Sequence, residues 1–313
     1  MRLDKVFSKK NEPSLKKIYF SIFLTIAICL LSQWFNCPEA NAVDDMESLQ
    51  DDVSVIVKPE QVMIGDTVAV KVARSLDIKE SPKIYFDKTK IPVFVLDDKW
   101  FRGLIPVSAN TKAGKHELEV FYKNKGKKID LNITETKYPL ENLTLSKEVA
   151  ALNASKIEKS LVAQALSVES SNKLWNSKFI FPSSGHKSTV YGVKRRINGS
   201  LDPDYFHKGL DFAASTGSNV IAPENGKVVL AGYQPKGFVV NGNCIFLDHG
   251  QGVSTAYLHL SEINVKEGDF VKKGQIIGKV GSSGIASGPH LHWGLYVHGM
   301  TVDPLVWTSQ IIE

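Results

Sequence analysis

The chain has 313 residues, 43% of them hydrophobic and 23% charged, a composition that supports packed cores in about two ordinary domains and excludes wholesale disorder. Its formal net charge is +5, but residues 1–42 hold six Lys/Arg against three Asp/Glu, which leaves +2 for the rest. No basic stripe interleaves with aromatics, so nucleic acid is not an expected partner.

The N-terminal segment has its own logic. Arg2, Lys5, Lys9, Lys10, Lys16 and Lys17 precede the apolar run "IYFSIFLTIAICLLSQWF" at residues 18–35, and "ANA" follows at 40–42. A basic region, an apolar region and a small-x-small site predict a signal peptide over residues 1–42, cut after Ala42, and a periplasmic or secreted protein. The alternative is an uncleaved anchor, because 18 apolar residues lie at the lower edge of what spans a bilayer. Membrane contact would then come through this segment alone. Cys29 and Cys37 belong to it, and "WFNC" lacks the small residues expected before a lipidated cysteine. The mature chain keeps Cys244 alone, in the apolar stretch "NCIFLDHG", so an inert buried thiol is expected and no disulfide framework can form.

Residues 43–139 read as a β-sandwich domain. In "GDTVAVKVA" Val68, Val70 and Val72 alternate with Thr67, Ala69 and Lys71; "IPVFVLDD" turns at Asp97-Asp98 into "KWFRGLIPV"; Leu118, Val120 and Tyr122 alternate, as do Ile129, Leu131 and Ile133. No chemically useful cluster appears there, and a positioning or binding module is the expectation. Residues 140–178 read as a helical connector, with Ile157, Leu161, Ala165 and Val168 near one face and a capping-box spacing at Ser155 and Glu158. Residues 179–313 return to short, Gly-punctuated apolar segments with turns at 266–269 and 273–275, which predicts an antiparallel β domain. The fold class is therefore mainly β.

Histidine distribution carries the chemistry. Seven of the eight lie after residue 185, in "HKGLD" (His207, with Asp211), "YLHL" (His259) and "HLH" (His290, His292), besides His186, His249 and His298. On a strand His290 and His292 point to one face and Leu291 to the other. Gly209 disfavours a helix through "HKGLD", so His207 and Asp211 are placed where a loop enters a strand. Zn²⁺ takes four tetrahedral ligands; two histidines and one aspartate would leave a corner for water, the arrangement of hydrolytic zinc sites. The ion lowers the pKa of that water toward ~7, and nearby unliganded histidines can handle protons or the developing oxyanion. Spacing alone does not say which histidine of "HLH" would ligate. Either short motif by itself arises freely; both within one domain, with His259 between them, point to a site. His116, His186, His249 and His298 stand outside these clusters and receive no role.

Residues 191–307 resemble the M23 family of zinc metallopeptidases, the lysostaphin/LytM-type peptidoglycan endopeptidases. The resemblance runs through "YGVKRRING", "FHKGLDFAASTGSNVIAPENGKVV", "IFLDHGQGVSTAYLHLS", "VKEGDFVKKGQIIGKVGSSGIASGPHLHWGL" and "VDP". It implies one Zn²⁺ held by His207, Asp211 and His292, with His259 and His290 as an unliganded catalytic pair, and peptide cross-links of peptidoglycan as substrate. A tyrosine that assists in some members has no match in spacing; Tyr205 is near and is left out. "GLIPVSANTKAGKHELEV" resembles, more weakly, the N-terminal domain of some exported members. Arg195, Arg196 and Asn198 are candidates for the groove wall or for a solvated basic turn.

Two other readings compete. A non-catalytic LytM-like module would bind wall or activate another hydrolase, but such relatives lose metal residues and none of the five positions is missing here. "VKEGDFVKKGQIIGKVG" resembles turns of lipoyl and biotinyl carriers, yet no carrier lysine motif sits between its strands and an export signal argues against that role.

Overall fold

The computed structural model describes residues 53–75, 80–146, 152–202 and 205–313, and the signal expected over residues 1–42 lies outside them. Among the described residues no helix is long and apolar enough to cross a membrane. The strands in chain order are β1 (Val55–Lys58), β2 (Val62–Met63), β3 (Thr67–Ala73), β4 (Lys83–Phe86), β5 (Thr89–Ile91), β6 (Val93–Val95), β7 (Trp100–Pro106), β8 (Gly114–Tyr122), β9 (Lys125–Thr134) and β10 (Leu140–Leu143). Helix α1 (Lys156–Leu166) follows. Then come β11 (His186–Thr189), β12 (Lys194–Ile197), β13 (Ser200–Leu201), β14 (Leu210–Ala213), β15 (Asn219–Ile221), β16 (Gly226–Gly232), β17 (Asn243–Gly250) and β18 (Val253–Leu260). The chain closes with β19 (Glu262–Ile263), β20 (Phe270–Val271), β21 (Ile276–Lys279), β22 (His290–Val297), β23 (Met300–Val302) and α2 (Pro304–Ser309).

The first nine strands form two sheets, ordered β1-β3-β7-β6 and β2-β9-β8-β4-β5. Period-two alternation sends Val68, Val70 and Val72 of β3, and Leu118 and Val120 of β8, into one apolar core between them. Each such side chain contributes roughly 1.5–3 kcal/mol by leaving water. The β6–β7 hairpin turns where expected, because the Asp97 carboxylate accepts from the N–H groups of Lys99 and Trp100. The opposite face of β3 and β7 is buried too. Ala69 and Leu104 join the core of the C-terminal half, Thr67 Oγ1 accepts from Trp307 Nε1 at 3.0 Å, and Arg102 is sealed among Trp175, Gln251 and the Ile312 carbonyl. Burial lowers the Arg102 guanidinium to about 10.

The C-terminal sheet runs β11-β14-β22-β18-β17-β16-β20, with β23 on β22, beside a small sheet β15-β21-β19. Alternation again sorts its faces. Leu291, Trp293 and Leu295 of β22, with Ile245 and Leu247 of β17, enter the large core. Cys244 and Phe246 of β17 and Ala256 of β18 face the other way, where Leu161, Val162 and Leu166 of α1 pack over them. Cys244 is fully buried and burial raises its thiol to about 12, as expected of an inert side chain.

The connector differs from expectation in extent. Residues 140–143 are a strand, pairing in parallel with β12, and the helix spans only 156–166. Ser155 caps it by accepting from the Glu158 N–H, as the spacing predicted. Val168 lies beyond the Ser167 C-cap, and Ile157 is exposed, so the packed face is Leu161, Val162, Ala165 and Leu166. The helix stops because residues 170–174 leave its axis to bond β17: Ser170 donates to Asp248, and Gln251 and Leu174 donate to the Ser170 and His249 carbonyls.

Candidate metal centre

β14 and β22 are antiparallel neighbours that set Asp211 directly opposite His292 and Ala213 opposite His290. His290 and His292 thus share the face away from Leu291, as alternation predicts. His207 sits in the loop entering β14. That loop lies flat against β22: a Cβ on Gly209 would stand 2.3 Å from the Trp293 carbonyl oxygen, so only glycine permits the approach. His207, Asp211, His259 and His292 are all buried.

Three atoms converge. His207 Nε2 lies 3.0 Å from Asp211 Oδ1 and 3.0 Å from His292 Nδ1, and His292 Nδ1 lies 2.9 Å from Asp211 Oδ1. His207 Nδ1 donates to the Val190 carbonyl at 2.8 Å, so in the neutral ring Nε2 offers only a lone pair. Asp211 only accepts. One proton, on His292, is then all that hydrogen bonding can supply among three mutually close atoms. Ligands about 2.0–2.1 Å from a tetrahedral ion stand roughly 3.3 Å apart, close to the separations found, so the donor set fits Zn²⁺.

Charge agrees with this. Burial alone would raise the Asp211 carboxyl, but the His207 and His292 rings that crowd it outweigh burial and hold it far below the usual carboxylate range. Its second oxygen, Oδ2, accepts from Arg195 Nη2 at 3.0 Å, and Glu141 of β10 stands 3.6 Å from Arg195 Nε. Burial would lower the Arg195 guanidinium, but Tyr205 and Asp211 raise it above its ordinary value. Burial holds the His292 imidazole below its usual value.

His259 and His290 form the second pair, their ring centroids 4.8 Å apart. His259 Nδ1 donates to the Ser283 carbonyl and His290 Nδ1 to the Gly288 carbonyl, each at 2.8 Å, which frees both Nε2 atoms. Burial, and then the charges of His290 and His292, lower His259 to about 3. His259 reaches this face by an irregularity. Tyr257 pairs with Trp293 and Leu258 with His292, so a regular pleat would turn residue 259 toward the large core. Instead β18 carries a bulge against β17 there, and His259 has φ +64°. The left-handed backbone re-aims the ring at His290.

A cavity of about 1100 Å³ opens over this face, walled by Glu141, Leu143 and Leu145 of the connector, Val162 and Leu166 of α1, and Tyr205. Arg195 belongs to the site and Arg196 to the solvent, while Asn198 clamps Leu145 through both its N–H and its carbonyl. Tyr205, set aside on its spacing, lines the cavity, and Arg195, open in the sequence between groove wall and solvated basic turn, bonds Asp211. His116, His186, His249 and His298 all lie away from the cluster, and among the described residues His207, Asp211 and His292 form the group able to hold an ion.

Residues 205–304 match the family model Peptidase family M23. An "Uncharacterized metalloprotease" of Haemophilus influenzae is 42% identical over 38% of this chain and 24% of its own length. Peptidoglycan DD-endopeptidase ShyA of Vibrio cholerae is 38% identical over 36% of this chain and 27% of its own. The chain thus spans about a quarter of the length of these curated relatives. A Pseudomonas aeruginosa protein solved as a peptidase M23 superposes over 82% of this chain and 97% of its own, at 25% identity and a TM-score of 0.57. The matched residues run from two before His207 to one past Asp303, so every buried histidine of the cavity falls inside them, on a fold shared through the N-terminal sandwich as well; residues 205–304 are a peptidase family M23 domain.

Proposed function

We propose that the protein is an exported zinc metalloendopeptidase that hydrolyses peptide cross-links of bacterial peptidoglycan, with one Zn²⁺ on His207, Asp211 and His292 and with His259 and His290 as its catalytic pair. The carrying observation is the convergence of two imidazole nitrogens and one carboxylate oxygen within 3.0 Å of one another, beside two further imidazoles on the same face. The substrate class rests on the DD-endopeptidase to which the chain is similar. The proposed division is a signal over 1–42, a sandwich over 43–139, a connector over 140–178 and a peptidase domain over 179–313.

Bound zinc supplies Lewis acidity, lowering the pKa of water to ~7 and polarising a carbonyl. The chain supplies the rest. Arg195 and the two imidazoles keep Asp211 ionised and aimed. His259, neutral and anchored through Nδ1, presents Nε2 as a proton acceptor toward the groove. His290, anchored likewise, donates from Nε2 to the developing oxyanion when both its ring nitrogens carry protons, and the proton that His259 took from water passes to the departing amine. The cavity, walled by the connector and α1, holds the peptide across both histidines.

Purified peptidoglycan digested by the mature chain, with and without complete zinc removal, tests the reading. Cleavage should stop without metal and return on adding zinc; undiminished cleavage overturns it. His290→Ala should abolish turnover while zinc content stays at the wild-type level; loss of the metal would show that the ligand assignment within "HLH" is swapped. A metal-loaded wild-type chain that binds wall without cleaving any bond would point to the non-catalytic module instead.

A further inference from the structure

Glu158 is buried, 1% exposed, on the first turn of α1. In a capping box its carboxylate would return to the N-cap N–H. It does not. It reaches 81 to 83 residues along the chain and accepts from three consecutive backbone N–H groups: Val239 at 3.0 Å and Val240 at 3.2 Å on Oε2, and Asn241 at 2.7 Å on Oε1. Three amides converging on one anion make a tight backbone nest. The cap itself joins the same loop, since Ser155 Oγ donates to the Gly237 carbonyl at 2.8 Å.

The far side of that nest faces the catalytic histidine. The Asn241 carbonyl accepts the His259 N–H at 3.0 Å, the amide that the β18 bulge withdraws from regular pairing. The Val240 carbonyl accepts from Ile285 N at 2.9 Å, which fixes the 283–285 turn. Ser283 in that turn accepts from Asn243 N at 2.9 Å through Oγ, and its carbonyl holds His259 Nδ1 at 2.8 Å. The fit is close: a Cβ on Gly242 would stand 2.4 Å from Ser283. Both handles on His259, its backbone N–H and its ring Nδ1, therefore run back to the loop whose residues 239–241 are held by one carboxylate. A histidine at φ +64° stays there only when its surroundings over-determine it.

We infer that Glu158 is a positioning residue for His259: from the connector helix it fixes the 239–241 loop that holds the left-handed backbone and the ring tautomer of that histidine. Its effect on catalysis rests on the reading of His259 as a member of the catalytic pair; its effect on the ring does not. The helix outside the peptidase sheet thereby becomes part of the site's construction.

The test compares Glu158→Gln and Glu158→Ala with the wild type as full-length, zinc-loaded protein. The first arm reads the His259 ring nitrogens by ¹⁵N NMR, without substrate. The wild type should show the Nδ1–H form, Glu158→Ala should lose that signature, and Glu158→Gln, which keeps one acceptor oxygen, should fall between them. The second arm reads peptidoglycan cleavage: kcat should drop about 10–100-fold with KM and zinc content unchanged, the scale typical of residues that orient a reacting side chain. Leu161→Ala, which loosens the same helix through packing alone, controls for stability and should lower the Tm without moving the His259 signals. If Glu158→Ala lowers only the Tm, leaving the ring signature intact and kcat within twofold, Glu158 merely anchors a helix and the inference is wrong. A changed ring signature with unchanged kcat would bear out that Glu158 places the ring and would overturn instead the reading of His259 as a member of the catalytic pair. If the wild type cleaves nothing, the fault lies with the proposed function, and the NMR arm decides whether Glu158 places the ring.

Discussion

Both halves of the molecule contain a histidine on an aspartate, and the two pairs have opposite consequences. In the sandwich His116 Nδ1 meets Asp87 Oδ2 at 2.5 Å while Nε2 meets the Lys112 carbonyl at 2.7 Å. Every ring nitrogen has an acceptor of its own, and Asp87 stands half in water. The pair is closed. In the peptidase half two imidazoles crowd one buried carboxylate, one of them with its only proton already given to the Val190 carbonyl. Lone pairs outnumber protons there. A His–Asp contact thus becomes a candidate for metal when its donors run short, and burial alone is not the criterion.

The sharpest way to break this comparison is to remove one carboxylate from each half. Asp211→Ala should eliminate bound zinc, measured by mass spectrometry of the metal, and all cleavage of peptidoglycan with it. Asp87→Ala should leave both untouched. Equal zinc in the two variants would mean that the shortage of protons has been misread.

An intermediate effect is expected in acid. His249 is fully buried, donates from Nδ1 to the Asn225 carbonyl at 2.7 Å and packs edge-on against Phe179. Burial lowers it to about 4, against the attraction of Asp248 and Glu224. The fold therefore prefers the neutral ring. That preference is complete above the unfolded pKa near 6.5 and is lost as pH falls through 4, at a cost on the order of 3 kcal/mol. Urea midpoints should drop steeply between pH 6.5 and 4, and His249→Gln should flatten that slope. An unchanged slope would assign the acid sensitivity to other groups.

The smallest effect has the opposite sign. Burial tends to lower His116, but its bonds to Asp87 and Lys112 raise it above its ordinary value. Its contribution is present in full below the unfolded pKa and vanishes as pH rises past the folded one. Because the pair is open to water, it amounts to less than about 1 kcal/mol. His116→Ala should cost more at pH 5.5 than at pH 9 by that small increment, the loss of its stack on Phe86 being common to both, with cleavage unaffected throughout.

Much of this was legible in the residues themselves. The alternation in "GDTVAVKVA" identified the sandwich face of β3, and that in "HLH" identified the groove face of β22, because strand period is a local property. The Ser155 cap was legible for the same reason. Its partner was not: Glu158 looked like a capping-box return, and no local pattern announces a bond to peptides some 80 residues on. Spacing could not separate His290 from His292, since both share a face; the register that sets Asp211 against His292 favours the proposed ligand. His259 lay beyond the reach of periodicity because a bulge and a left-handed residue reverse the direction in which its strand position would point it. The second face of β3 and β7, read as Thr67, Ala69 and Lys71, gave no sign of which partner would cover it.

The pairing of β14 with β22 carries one more consequence. Sliding those two strands by a single residue would swing Trp293 into water and push a pair of imidazoles into hydrocarbon, so the slipped chain would lose the proposed ion site and its packing together. No partly correct intermediate could pass for native in a metal-uptake assay, and colour from a cobalt-substituted sample would count correctly zippered molecules in a refolding mixture directly.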